Sequence, residues 1–515
     1  MKHRIIGLAS LIAAACAPIA GSAQEALLRV AGNGDVSTLD AHRASATADK
    51  TLIGWIYNGL VRFKPGSADP QDLEPDLAER WVTSPDGKVW TFHLRKDVKF
   101  QGDWGTLSAD DVVYSLQRSA DPKRSTFSSD FAAVETVEKT GDLTVRVTLK
   151  YPDVNFLGRV SNYHGGNIVS RKAAEELGDK FGAKPVGTGP FAFVEQVTQQ
   201  YVKLAAHPGY FRGKPKIDTI MVRVIPSDSA RELAFTSGEL DLMYGKREQR
   251  WVDSARRRPG FNVDIFQPGE FRLLHLNQSI PPLDDIRVRR AVAAAVNVDD
   301  LVRFVGKDVG PKGCSVVPPG YLGEDCSVRY GFDLAKAKAL LAEAGHKDGI
   351  TIKAIVSNIS AQQPFMEIIQ AQLGKAGIKL EMQVVDHATY QSQTRKDLSG
   401  LVFYGAARFP IADTYLSEFF HSRATVGTPT AATNFSHCAV ADKEIEQART
   451  APDAAAQKAL WKEAQRKIMD DVCAIPLFEL RQVWARGDKL DFGYELKGAL
   501  NLAPPITEAT MLKPR

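Results

Sequence analysis

ITIKAIVSNISAQQPFMEIIQAQLGKAGIKLEMQVV, residues 350–385, is the stretch that decides the class of fold. Its two ends, ITIKAIV and IKLEMQVV, are rich in β-branched and apolar residues and predict strands, whereas PFMEIIQAQLGKAG between them predicts a helix. A helix that joins two such strands favours a parallel βαβ unit, because parallel strands need a long crossover connection. Just upstream, residues 333–345 predict another helix, which begins at an aspartate cap and ends at a glycine. The late part of the chain is therefore predicted to be α/β.

The early part of the chain has a different pattern. Residues 81–94, WVTSPDGKVWTFHL, predict two strands around a Pro-Asp-Gly turn, and residues 134–149 predict a second hairpin that turns at Gly-Asp. Between them, Ser108 and Asp111 have the spacing of a capping box and predict the start of a helix. In the middle of the chain, PPLDDIRVRRAVAAAVNVDDLV, residues 281–302, predicts one long helix.

Length and composition limit the class of protein. The chain has 515 residues, of which 44% are hydrophobic and 24% are charged, and this is too long for one core, so we expect two or three domains. The formal net charge is only +4 and the basic residues are dispersed. Because nucleic-acid binders concentrate their basic residues in a patch, we do not expect a nucleic-acid partner.

The N-terminus predicts export. Lys2 and Arg4 precede an apolar run, and small residues stand just before Gln24, so residues 1–23 are predicted to be a secretory signal peptide. Removal of this segment takes away two basic and no acidic residues, which lowers the net charge from +4 to +2. We expect a periplasmic protein. Lipid attachment at Cys16 stays open as an alternative.

The four cysteines of the exported chain predict disulfides, because an exported protein folds in an oxidising compartment. Four cysteines allow three pairings. We favour the pairing that closes the shortest loops, which joins Cys314 to Cys326 and Cys438 to Cys473. None of the spacings resembles a zinc motif, so we expect no metal ion.

No motif in the sequence indicates an enzyme. A nucleophile elbow, a zinc-protease helix and a phosphate-binding loop are all missing from the 515 residues. We therefore expect neither catalysis nor a cofactor. A secreted hydrolase whose triad comes from distant residues stays open, since such geometry is not visible in a sequence.

Several segments in order resemble one known family. STLDAH (37–42), PVGTGPFAF (185–193), SGELDL (237–242) and AIPLFELRQVWA (474–485), together with residues 57–66, 73–103, 212–225, 281–302 and 330–345, are similar to the bacterial extracellular solute-binding proteins of family 5. This group comprises dipeptide-, oligopeptide- and nickel-binding proteins that feed ABC importers. The resemblance spans nearly the whole exported chain.

The resemblance implies an α/β, periplasmic binding protein-like fold with three lobes, in a protein that we expect to be a monomer. Lobes I and III would close over a ligand as two jaws, and lobe II would be the hairpin-rich extra lobe. The expected boundaries are residues 24–62, 186–280 and 488–515 for lobe I, 63–185 for lobe II and 281–487 for lobe III. Residues 271–277 and 474–486 are expected to be the hinge connections.

The resemblance also places a ligand contact at Arg408. Peptide-binding members share a segment W-x-x-D-Y, whose aspartate pairs with the α-amino group of the peptide. On GAARFP, residues 405–410, the aspartate position becomes Arg408, and Phe409 keeps the aromatic position. A shift of one residue places Tyr404 and Ala407 on the pattern instead, and it removes the acid as well. The alternative is that Arg408 faces solvent or a structural acid such as Asp413.

Other candidate ligand contacts come from position. Asn33 and Asp35 follow a strand, where open α/β sheets bind ligands. Trp104 could stack on a ring of the ligand. The remaining candidates lie in segments that the family directs toward the cleft or the hinge, and they are Tyr57, Asn58, Arg272, Asn277, Tyr390 and Arg395.

An arginine at the aspartate position changes the expected ligand. A guanidinium repels an ammonium group and binds carboxylate or phosphate. We therefore expect a small polar solute with an anionic group, such as a sugar phosphate, an opine-like conjugate or a carboxylated peptide derivative, which would be delivered to a membrane permease. Alternatives are a nickel or metallophore complex, and a receptor or chaperone-like role in peptide binding.

Overall fold

The computed structural model describes residues 25–153, 155–359, 361–427, 433–451 and 453–514. The predicted signal peptide, residues 1–23, and Cys16 lie outside the described residues. No helix of the described ranges is long and apolar enough to cross a membrane.

The strands alternate with helices along most of the chain. The strands are β1 (Leu27–Gly32), β2 (Val61–Phe63), β3 (Leu73–Pro75), β4 (Ala78–Thr83), β5 (Val89–Leu94), β6 (Val134–Gly141), β7 (Thr144–Leu149), β8 (Phe191–Val197), β9 (Tyr201–Ala206), β10 (Thr219–Val224), β11 (Leu242–Tyr244), β12 (Asn262–Leu276), β13 (Ile350–Ser357), β14 (Ile378–Val385), β15 (Leu401–Ala406), β16 (Ala474–Arg486), β17 (Leu490–Asp491) and β18 (Met511–Leu512). The helices are α1 (Thr47–Ile56), α2 (Ala109–Ala120), α3 (Phe156–Arg159), α4 (Arg171–Leu177), α5 (Asp228–Thr236), α6 (Gln249–Arg256), α7 (Ile286–Ala295), α8 (Val298–Val305), α9 (Leu334–Glu343), α10 (Gln363–Lys375), α11 (His387–Arg395), α12 (Ala412–Phe419), α13 (Asp442–Arg449) and α14 (Ala454–Asp470).

One large mixed sheet contains strands from both the early and the late part of the chain. Its strand order is β15-β12-β16-β11-β1-β10-β9-β8. The strands β12 and β16 are long and antiparallel, and they pair with β15 toward one end and with β11 toward the other. These two strands contain the segments predicted as hinge connections, and they carry the chain from one half to the other.

The predicted α/β and hairpin regions are both present. The strands β13 and β14 pair in parallel across α10, which confirms the βαβ unit. The early hairpins form a separate four-stranded sheet in the order β4-β5-β7-β6. The Ser108–Asp111 capping box starts α2 as predicted. The lobe boundaries at residues 62, 185, 280 and 487 stay a prediction.

The prediction of one long helix over residues 281–302 was wrong. The helix breaks after Ala295, and a second helix begins at Val298. The cause is local, because the side chain of Asn297 accepts a hydrogen bond from the backbone N–H of Asp299 and so caps the second helix. Amphipathic spacing continues through the break and hides it in the sequence.

The predicted disulfide pairing is confirmed, with bonds joining Cys314 to Cys326 and Cys438 to Cys473. Cys438 and Cys473 are both fully buried, in a core cluster built mainly from α12, α13 and α14. The second bond therefore fastens this helical layer to the start of β16.

The two disulfides should differ in their effect on stability. Closing a loop of about 35 residues stabilises by about 4 kcal/mol in the chain-entropy treatment, against about 3 kcal/mol for a loop of about 12 residues. We expect the Cys438→Ala/Cys473→Ala variant to lose more free energy of unfolding than the Cys314→Ala/Cys326→Ala variant, as measured by urea titration. A larger loss in the second variant would contradict this ranking.

Candidate functional site

The ends of several strands converge at one place. On one side, β1 and β11 run in parallel and end at Gly32 and Tyr244. On the other side, β13 and β14 run in parallel and end at Ser357 and Val385. The carboxyl ends of parallel strands are where open α/β sheets bind ligands. Arg247, which follows β11, and His387, which follows β14, both lie near Glu270 on the long strand β12.

Glu270 holds two arginines together. Arg247, just after β11, donates a hydrogen bond from Nη1 to Oε1 of Glu270 at 2.7 Å, and Arg272 pairs with the other carboxylate oxygen. Burial alone would raise the pKa of Glu270, but the charges of Arg247 and Arg272 outweigh it and lower this pKa to about 2. The carboxylate is therefore ionised at neutral pH, and it is shared between two guanidinium groups.

Arg272 lies across a glycine. In the register of β12 and β15, Arg272 stands opposite Gly405. A Cβ atom at Gly405 would lie 2.5 Å from Cδ and 2.9 Å from Nε of Arg272, so only a glycine leaves this space for the arginine. The Arg272 residue is only 6% exposed, and its Nε is buried without a hydrogen-bond partner among the described residues.

The residues after β14 continue the surface that begins at Arg247 and Glu270, and we call this surface the wall. Nδ1 of His387 lies 3.0 Å from Oγ of Ser357. Burial and then the charge of Arg272 lower the pKa of His387, so the ring is neutral at pH 7. The guanidinium of Arg395 acts on the same ring, and its carbon lies 5.9 Å from the centre of the Tyr404 ring. Arg395 donates from Nη1 to the backbone oxygen of Gln391 at 3.2 Å.

Arg408 lies at the far end of this wall. Its guanidinium pairs with Glu418 and lies 5.8 Å from the centre of the Phe419 ring, and its backbone N–H donates to the hydroxyl of Tyr415 at 3.2 Å. The expected alternative partner, Asp413, pairs with an arginine elsewhere in the chain. Burial and then the charge of Arg408 lower the pKa of Lys50 to about 8, so the two cations lie close to each other.

Phe409, in the late part of the chain, packs directly against the early part. Its ring centre lies 5.9 Å from that of Phe63 and 6.2 Å from that of Tyr163. A Cβ atom at Gly158 would lie only 2.2 Å from the Phe409 ring. Next to this contact is a cavity with an empty volume of about 460 Å³, lined by Arg408 and Glu418 on one side and by Asp130 and His164 on the other.

Positive charge exceeds negative charge along the wall from Arg247 to Arg408. Five cationic side chains outnumber the two carboxylates that pair with them, and Asp130, which lines the cavity beside Arg408, supplies a further negative charge near Lys50. The cations are Arg247, Arg272, Arg395, Arg408 and Lys50, and the carboxylates are Glu270 and Glu418. The arrangement can hold an anion with several charge-assisted hydrogen bonds.

Three of the predicted contacts are used inside the fold. The hydroxyl of Tyr57 donates to the backbone oxygen of Leu39 at 3.0 Å, and the amide of Asn58 donates to Asp76 at 2.8 Å. The amide of Asn277 donates to Asp397 at 2.7 Å. Because all three predicted residues are buried with their polar groups paired, we leave them out of the candidate site.

Three further candidates also serve the fold. The Asp35 carboxylate accepts hydrogen bonds from the backbone N–H groups of Val36 and Gln199. The hydroxyl of Tyr390 donates to the backbone oxygen of Phe403 at 2.7 Å, and this side chain is fully buried. The ring of Trp104 lies 5.8 Å from Nζ of Lys172, on the surface of the early region.

Asn33 lies next to the end of β1, as predicted. It lines a cavity with Tyr244 and Trp484, whose rings pack edge to face with centres 5.5 Å apart. The predicted residues that the structure places along one wall are Arg272, Arg395, Tyr404 and Arg408.

Sequence reasoning missed Arg247, Glu270, His387 and Lys50. A signal was present for Glu270, which stands two residues before Arg272 on the same strand and so faces the same side of the sheet. Arg247 follows the strand that ends at Tyr244, and it satisfies the same positional rule that selected Asn33. Nothing in the local sequence distinguishes Lys50 from other lysines.

The chain belongs to the bacterial extracellular solute-binding proteins, family 5. The family's sequence profile, described as the middle part of these proteins, matches residues 72–427. This membership and the periplasmic binding protein fold confirm the resemblance.

Individual relatives differ in their ligands. One similar solved structure is MoaA from A. tumefaciens R10 in complex with mannopinic acid, with 47% identity, a TM-score of 0.87, and coverage of 95% of this chain and 100% of that chain. Another is the periplasmic binding protein DppA from Helicobacter pylori with the peptide STSA, with 28% identity, a TM-score of 0.81 and coverage of 95% and 98%. A di/tripeptide-binding protein of Pseudomonas aeruginosa is 29% identical over 82% of this chain and 83% of its own length.

Removal of the shared carboxylate should destabilise the protein in a pH-dependent way. The pKa of Glu270 is lower in the fold than its usual value of 4.5, so its contribution to stability is present above about pH 4.5 and is lost as the pH falls toward 2. We expect Glu270→Gln to lower the free energy of unfolding by about 3 kcal/mol at pH 7, and by less at pH 3, in urea titrations.

The control for this prediction is Glu463→Gln, which removes a carboxylate from a surface pair with Arg466. We expect this change to alter stability by less than about 0.5 kcal/mol. A difference between wild type and Glu270→Gln that grows as the pH falls would contradict the assignment.

Proposed function

We propose that this protein is the periplasmic binding component of an ABC importer and that it captures a small solute with an anionic, opine-type group. The observation that carries the proposal is the surplus of cationic over anionic side chains along the wall from Arg247 to Arg408. An anion bound there would neutralise charge that the protein leaves uncompensated.

The similarity to MoaA supports this ligand class. That structure holds mannopinic acid, and its identity to this chain, 47%, is well above the 28–29% of the peptide-binding relatives reported above. The chain also carries Arg408 where peptide-binding members resemble one another in having an acid. A guanidinium at that position favours a ligand carboxylate over a ligand ammonium group.

The ligand would hold the closed arrangement of lobes I and III. The strands β12 and β16 connect the two sides, and Phe409 contacts Phe63 and Tyr163, which fall in lobe II by the expected boundaries. A solute that touches Arg247 on one side and Arg395 or Arg408 on the other would favour this state over an open one. The closed, loaded protein would deliver its ligand unchanged to a membrane permease. Membership of the family supports this partner and the periplasmic location.

The direct test is a binding measurement. We expect mannopinic acid to bind the purified protein in isothermal titration calorimetry and to raise its melting temperature, because the acid supplies the missing negative charge. A dipeptide with a free amino group is the comparison ligand. Tighter binding of the dipeptide, or no binding of the acid, would overturn the proposed ligand class.

Arg408 should contribute directly to affinity. A hydrogen bond to a charged group contributes about 1.5–3 kcal/mol, which is roughly a factor of 10 to 100 in affinity. We expect Arg408→Gln to weaken binding of mannopinic acid by at least tenfold. The matched control is Arg423→Gln, which removes an exposed arginine paired with Glu446 away from this wall. Equal affinities of the two variants would show that Arg408 serves only its pair with Glu418.

A further inference from the structure

We infer that Arg272 receives the carboxylate of the ligand and that Gly405 determines this specificity by leaving the space in which Arg272 lies. The inference rests on the proposed function and assigns one subsite within it. A change of either residue should therefore weaken the binding of acids selectively, rather than the binding of all ligands.

The hydrogen-bond partners of Arg272 are incomplete. Its guanidinium carries five N–H groups, and its pair with Glu270 is made through Nη2 alone. Nε is buried without a partner, and Nη1 makes no hydrogen bond to any residue that the structure describes. A charged group with 6% exposure needs partners for these donors. The missing partner must be an acceptor, and a carboxylate matches the geometry of a guanidinium.

Glu270 does not supply that second acceptor, because its hydrogen bond with Arg272 reaches Nη2 alone. One of its oxygens accepts from Arg247 and the other from Arg272, so a single negative charge serves two guanidinium groups. The neutral His387 beside them adds no negative charge. A carboxylate from the ligand would complete the charge balance between Arg247 and Arg272.

Gly405 acts as a positioning residue for Arg272. The side chain of Arg272 crosses the strand β15 at this glycine, where an added Cβ would meet Cδ, Nε and Nη1 at 2.5, 2.9 and 3.0 Å. The arginine also lies over the ring of Phe403, with 5.8 Å between its guanidinium carbon and the ring centre. Any side chain at position 405 must therefore displace the guanidinium from this surface.

The first experiment compares an acid with its neutral derivative. We expect Arg272→Met to weaken binding of mannopinic acid at least tenfold in calorimetry and to change binding of its methyl ester less than threefold. The fold should survive, since Glu270 keeps its pair with Arg247, and a melting curve of the variant checks this. Equal losses for acid and ester would overturn the assignment of the carboxylate to Arg272.

The second experiment tests whether Gly405 acts through Arg272. We expect Gly405→Ala to weaken binding of the acid at least fivefold in the unaltered protein and to have no further effect in the Arg272→Met variant, as in a double-mutant cycle. The control is Gly374→Ala in α10, where an added Cβ meets no atom within 4 Å. Additive losses would overturn the coupling between the two residues.

The outcomes separate this inference from the proposed function. If the unaltered protein binds the acid and Arg272→Met binds it equally well, the inference is wrong and the proposed function stands. If the unaltered protein does not bind the acid, both are wrong.

Discussion

A single half-buried carboxylate organises the candidate site of this protein. Glu270 stands on the strand that links the two halves of the molecule, and it accepts hydrogen bonds from Arg247 on one side and from Arg272 on its own strand. Removal of charges from water is costly unless they are paired. The paired charges therefore fix this part of the wall, where two guanidinium groups share one carboxylate.

Under the proposed function, the excess positive charge would give the wall a preference for anions. Arg395 finds its partners in the neutral oxygens of Gln391, and Lys50 lies near Arg408 with its pKa lowered to about 8. In a site partly removed from water, such unbalanced charges interact strongly with an incoming anion. Under the proposed function, the same surface would disfavour a ligand that enters with its ammonium group first. Ligand selection and closure are thereby linked, because the anion would be held by residues from both sides of the cleft.

Several features of the fold could be read from short stretches of sequence. The βαβ unit, the hairpins and the capping box at Ser108 follow from patterns within single continuous stretches, the longest of which is residues 350–385, and the structure confirms each of them. The disulfide pairing followed from loop length and is confirmed as well. The break at Asn297 escaped detection, since its cap competes with a helical pattern that continues on both sides.

The sequence by itself determined the class of protein, and it predicted a ligand contact at Arg408. It also selected Arg272, Arg395, Tyr404 and Arg408, which the structure places along one wall, but it included Tyr57, Asn58 and Asn277, whose polar groups are paired in the interior. Only the tertiary structure decided that Arg408 pairs with Glu418, that Glu270 joins Arg247 to Arg272, and that Arg272 lies across Gly405. The physical reason is that backbone preferences depend on near neighbours in the chain, whereas the partner of a buried charge is set by the packing of distant segments.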